Sequence, residues 1–249
     1  MVGRTPLLAA LIVFAITAAA EPVTLTAADG VKVFGDYQAA SKPGAPLILA
    51  FHQAESSSAE YKPLISRLNQ AGFSVLAIDQ RSGGDEFGGE NKTVASLGRS
   101  GSYESALQDM ESALAWGKSR ANGSPVLVWG SSYSAALVFV LAARHPADIH
   151  ALLAFSPGEY LAKTEAVRTA AKTVTVPVFI DQASDEGEIA ASRSIVAAVA
   201  TPAAGKVNFI GRKNSVHGSA TLRSDSNPAG AEENWQAVLA FLSRFKGAR

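Results

Sequence analysis

The chain has 249 residues, 47% hydrophobic and 18% charged, and its 22 basic side chains balance its 22 acidic ones. That apolar content can fill a large core, while charge neutrality gives no support to nucleic acid or an acidic membrane surface as a partner. Cysteine is absent, which excludes disulfides, thiolate nucleophiles and cysteine-held metals.

Arg4 precedes an apolar run over 7–20 that closes on Ala18, Ala19 and Ala20, before Glu21 and Pro22. A basic start, an apolar stretch too short to span a bilayer comfortably and small residues at the last and third-last positions predict a signal peptide over 1–20. A retained membrane anchor is the competing reading. Cleavage after Ala20 would leave one exported domain over 21–249, periplasmic or secreted, without stable membrane insertion.

Residues 23–26 and 31–38, joined through Ala28-Asp29-Gly30, read as a hairpin. The fully apolar run 47–51 predicts a first central strand, helical spacing through Tyr61, Leu64, Ile65 and Leu68 a helix over 59–70, and 73–78 a second buried strand. Residues 79–101 are polar and glycine-rich and read as a long surface loop. Helices are then expected over 103–120, 133–145, 160–171, 189–200 and 231–245, with strands over 125–129, 151–155, 176–180 and 207–210. This alternation predicts an α/β fold, with a mostly parallel central sheet covered by helices on both faces and the hairpin as its antiparallel edge.

The chemical signal lies between the strand at 125–129 and the helix that follows, in Gly130-Ser131-Ser132-Tyr133-Ser134. A strand that turns into a helix in so few residues bends sharply and holds the apex hydroxyl out at a helix N-terminus. The bland reading is that Ser131 or Ser132 merely caps the helix. The pentapeptide resembles the G-x-S-x-G nucleophile elbow of the α/β-hydrolase superfamily, with Ser134 in place of the last glycine.

An attacking serine needs a base, and the base an acid to orient it. Of four histidines, His145 ends a helix, His150 precedes a strand, His52 follows the first central strand and His217 lies in a loop before the closing helix. The resemblance implies Ser132 as nucleophile, His217 as base and Asp185 as acid, in the superfamily's chain order. Asp181 and Glu159 are alternative acids. Asp185, Glu186 and Glu188 would otherwise be only a solvated helix start. The same resemblance implies an oxyanion hole of the Tyr133 and Gln53 backbone N–H groups, and loop-bracing roles for Asp79 and Arg81.

The likeness is to the dienelactone-hydrolase-like and small serine-esterase branches, and the short segment between 155 and 176 leaves no room for a large lid domain. It implies an exported serine hydrolase that cleaves a carboxylic ester or related acyl bond of a small molecule, with no cofactor and no metal. The alternatives are a non-catalytic exported binding protein on the same fold and a serine peptidase. Asn91-Lys92-Thr93 and Asn122-Gly123-Ser124 match glycosylation acceptors.

Overall fold

In the computed structural model, residues 19–246 are described; the expected signal peptide lies almost wholly outside them. The hairpin is β1 (Glu21–Thr26) and β2 (Lys32–Gln38), turned at Gly30, whose φ of 85° suits glycine. There follow β3 (Leu47–Phe51), α1 (Lys62–Gln70), β4 (Ser74–Ile78), α2 (Lys92–Leu97), α3 (Leu107–Ala121), β5 (Val126–Ser131) and α4 (Tyr133–Arg144). The second half adds β6 (Ala151–Phe155), α5 (Ala166–Ala171), β7 (Val178–Gln182), α6 (Glu186–Ala198), β8 (Lys206–Ile210) and α7 (Ala231–Leu242).

The sheet order is β1-β2-β4-β3-β5-β6-β7-β8. The pairings β1–β2 and β2–β4 are antiparallel and all others parallel. Strands β3 to β7 are buried at every position, as continuous apolar runs covered on both sides should be. Alternate side chains point to opposite faces: Leu47, Leu49 and Phe51 pack with α3 and α4, Ile48 and Ala50 with α1 and α7. On the α1/α7 face Trp129 stacks on Phe155 at 4.6 Å between ring centres, and Phe155 meets Phe179 at 5.9 Å.

Two segments differ from expectation. The loop over 79–101 contains α2, started by Asn91, whose side chain accepts the Val94 N–H at 2.9 Å, and stopped at Gly98 with φ 70°. The helix expected over 160–171 is only α5, because the Glu159 carboxylate caps it through the amides of Val167 (3.0 Å) and Arg168 (2.7 Å). The Asn91 amide is itself buried, donating to the carbonyls of Ser56 (3.1 Å) and Gln80 (2.9 Å), which removes it as a glycan acceptor. Among the described residues no helix is long and apolar enough to cross a membrane.

From β3 the chain steps to β4 on one side and next to β5 on the other. Such a reversal opens a crevice beyond the carboxyl ends of those strands. His52-Gln53 and the Ser132 turn lie there, and the loops after β6, β7 and β8 converge on the same edge.

Candidate active site

Ser132 joins β5 directly to α4 with φ 57° and ψ −121°, a strained conformation for a serine. The bend brings helix against strand so closely that a Cβ on Gly130 would lie 2.3 Å from the Ser134 carbonyl oxygen. The Ser132 N–H is anchored to the Phe155 carbonyl at 2.8 Å, and its hydroxyl has no hydrogen-bond partner among the described residues. Ser134, where the superfamily pattern has glycine, is fully buried and bonded: its hydroxyl donates to the His52 carbonyl at 2.6 Å and accepts from the Gln80 side-chain amide at 3.0 Å. The hydroxymethyl group therefore ties α4 to the ends of β3 and β4.

The histidine loop reaches the elbow through backbone bonds. Gly218 donates to Ser156 Oγ at 3.0 Å and Ser219 to Ser131 Oγ at 2.8 Å, so the chain just after His217 is held against the end of β6 and the residue before Ser132. His217 Nδ1 lies 2.8 Å from Glu188 Oε1, both side chains being partly exposed. With Nδ1–H donated to the carboxylate, the Nε2 lone pair is left to accept a proton.

This corrects the expected acid. Asp185 is the N-cap of α6: its carboxylate accepts the amides of Gly187 (2.9 Å) and Glu188 (3.2 Å) and does not bond His217. Glu188, one turn into the helix, bonds the ring instead. Neither alternative reaches it. Asp181 is buried at the end of β7, where desolvation pushes its carboxyl well above the usual range and Oδ2 lacks a partner, and Glu159 caps α5.

The Tyr133 N–H opens α4 and has no intrahelical acceptor, as an oxyanion donor requires. Its buried ring stacks on Tyr103 at 4.3 Å. The second expected donor is corrected: the Gln53 N–H is taken by Glu60 Oε2 at 2.7 Å. The next amide, that of Ala54, has no acceptor among the described residues. His52 is no base. Fully buried, with its pKa lowered by desolvation, it donates from Nδ1 to the Gln53 carbonyl at 2.7 Å and accepts the Gln80 N–H on Nε2 at 2.8 Å.

Asp79 and Arg81 brace the loops. Asp79 accepts the amides of Ser58 (2.8 Å) and Lys92 (3.0 Å). Arg81 donates to Asp109 at 2.7 Å and pairs with Asp29 in the β1–β2 turn. Among the described residues no cluster of three or more His, Asp or Glu side chains is arranged to hold a metal ion.

A mostly parallel eight-stranded sheet with a serine on a strained strand-to-helix turn, and a carboxylate-bonded histidine on a loop fastened to the residue before that serine, defines an α/β hydrolase. Residues 43–179 match the Hydrolase_4 family, described as serine aminopeptidase, S33, and the chain belongs to that family. It is 32% identical over 98 residues to human protein ABHD12B, a stretch covering 39% of this chain and 24% of that protein. Its span is thus about a quarter of that relative's length.

Three solved structures share the fold. A dienelactone hydrolase from Anabaena variabilis superposes with a TM-score of 0.70 at 16% identity, covering 93% of this chain and 100% of that one. The esterase Pf2001 of Pyrococcus furiosus gives 0.66 at 20% identity, with 92% and 94% covered. A thermostable carboxyl esterase from Bacillus coagulans gives 0.68 at 13% identity, with 92% and 99% covered. The chain thus shares the α/β-hydrolase fold of these enzymes.

Proposed function

We propose that the protein is an exported serine hydrolase that cleaves a carboxylic ester or related acyl bond of a small molecule, with Ser132, His217 and Glu188 as its triad. The observation that carries this is the 2.8 Å bond from His217 Nδ1 to Glu188, made in the loop fastened beside the strained Ser132 turn.

Ser132 Oγ attacks the carbonyl carbon while His217 Nε2 takes its proton, and Glu188 stabilises the imidazolium. The oxyanion is met by the N–H groups of Tyr133 and Ala54. Collapse expels the leaving group, protonated by His217, and leaves an acyl-Ser132. Water, deprotonated by His217, then releases the acid and restores the serine. The same steps cleave an amide, and the family's aminopeptidase description makes a peptide substrate the second reading.

Labelling by a fluorophosphonate probe tests the triad. Wild type should label, Ser132→Ala should not, and His217→Ala and Glu188→Gln should label far more slowly. A folded wild type that stays unlabelled and turns over no p-nitrophenyl ester would leave the non-catalytic binding protein as the reading. Cell fractionation with N-terminal sequencing checks export: a mature end near Glu21 outside the cytoplasm is expected.

A further inference from the structure

Three segments of the site meet at one buried carboxyl, that of Glu60, which is fully shielded from solvent. Its Oε2 accepts the Gln53 N–H at 2.7 Å, and its Oε1 accepts the Ser131 hydroxyl at 2.6 Å. Ser131 Oγ in turn accepts the Ser219 N–H at 2.8 Å. These segments carry the Ala54 amide, the nucleophile and the base. The junction is close-packed around Gly218, where a Cβ would lie 2.5 Å from Ser131 Oγ and 2.7 Å from Gln53 Oε1.

Both peptide groups around Gln53 are pinned. Its N–H is held by Glu60 and its carbonyl by His52 Nδ1–H. In a trans peptide the N–H points away from the C=O, so holding the Gln53 carbonyl also sets the direction of the Ala54 N–H.

We propose that Glu60 is a positioning residue for the acyl transfer: its ionised carboxylate fixes the loop after β3, the elbow and the histidine loop in one register. The proposal rests on the triad reading above.

Burial pushes the Glu60 carboxyl up to about 7, against the pull of its Ser131 and Gln53 donors. Glu86, on the loop after β4, raises it further, and Arg223, which bonds the Glu60 carbonyl at 3.1 Å, lowers it. The remaining ionisable groups that sense it are the phenols of Tyr61 and Tyr133, both pushed upward mainly by their own burial. When pH falls through this value the carboxyl takes a proton, and an acceptor shared by two donors becomes partly a donor itself. A carboxylate also opposes the oxyanion through its charge. Positioning is the larger effect only if activity falls as Glu60 protonates.

The test uses the purified protein and p-nitrophenyl acetate, with kcat and KM measured from roughly pH 5 to 9 for wild type, Glu60→Gln and Ser131→Ala. In wild type, NMR follows the Glu60 carboxyl and the Gln53 and Ser219 amides over the same range. Expected are a kcat lowered about ten-fold in Glu60→Gln at alkaline pH, KM within about two-fold, and an acid limb of kcat less steep by about one proton. The two amides should titrate with the carboxyl. If Glu60→Gln fails to fold, Ser131→Ala cuts the same link and should show the same loss of kcat. A kcat lowered uniformly with the wild-type pH shape would reduce Glu60 to a structural role and overturn the proposal, as would activity that rises on its protonation. A folded wild type inert to both ester and fluorophosphonate would sink the hydrolase reading, whereas amides indifferent to the carboxyl would sink the Glu60 linkage alone.

Discussion

Glu188 Oε1 stands 2.8 Å from His217 Nδ1, while Asp185, three residues earlier, has its carboxylate folded back onto the amides of Gly187 and Glu188. Helix geometry separates the two acids: the cap residue faces its own first turn, and the residue one turn on is free to project. Glu188→Gln should therefore lower kcat on an ester substrate roughly 100-fold or more, by weakening the tautomer and imidazolium support. Asp185→Ala should leave kcat within about three-fold and lower stability by about 1 kcal/mol. Steady-state kinetics with thermal melts on both variants decide it, and the reverse pattern would return the acid role to Asp185.

Ser134 gives a second expectation, opposite to what the superfamily pattern suggests. Ser134→Gly restores the patterned residue but strips the His52 carbonyl and the Gln80 amide of a buried partner. A loss of about 1–3 kcal/mol in denaturant unfolding is expected. A glycine variant as stable as wild type would show that the hydroxyl is dispensable.

Asp181 sets a pH dependence. Its folded carboxyl titrates well above the usual 3.8, through desolvation alone. A raised carboxyl pKa means that the folded state keeps its proton longer than the unfolded chain does. This contribution to stability is full below the unfolded value and is lost as pH rises toward the folded one. Asp181→Asn, neutral throughout, should gain on wild type as pH rises above about 4. Chemical denaturation at several pH values measures the slope, and a constant difference between the two proteins would contradict it.

Arg81 makes a fourth case. It lies between Asp109, which is fully buried, and Asp29, which is partly exposed. Arg81→Ala leaves Asp109 buried without its partner and should cost about 3–5 kcal/mol. Arg81→Ala with Asp109→Leu should recover a large part of that loss in denaturant melts.

The sheet was legible because its central strands are unbroken apolar runs, and the strained turn because Gly130 and Ser132 sit at one strand-to-helix boundary. His217 stood out among only four histidines. Which carboxylate bonds His217 was not legible, because offset from the strand end cannot tell a helix cap from a residue one turn later; only the start of α6 at Glu186 separates Asp185 from Glu188. That the Gln53 N–H is claimed by Glu60, seven residues on, was not legible, because Glu60 reads as an ordinary polar position at the start of an amphipathic helix. Helix α2 is too short to show a period, and its start depends on Asn91, whose cap bond leaves no mark in composition.

The Arg81 clasp also bears on how this molecule breathes. Strand β1 is hydrogen-bonded on one side only, at the rim of the sheet, and rim hairpins open more readily than central strands. Its turn, however, is fastened through Asp29 to Arg81, at the head of the loop that carries Glu86 and Asn91. Opening of the distant edge therefore tugs on the crevice, so the hairpin and that loop should exchange their amide hydrogens as one cooperative unit.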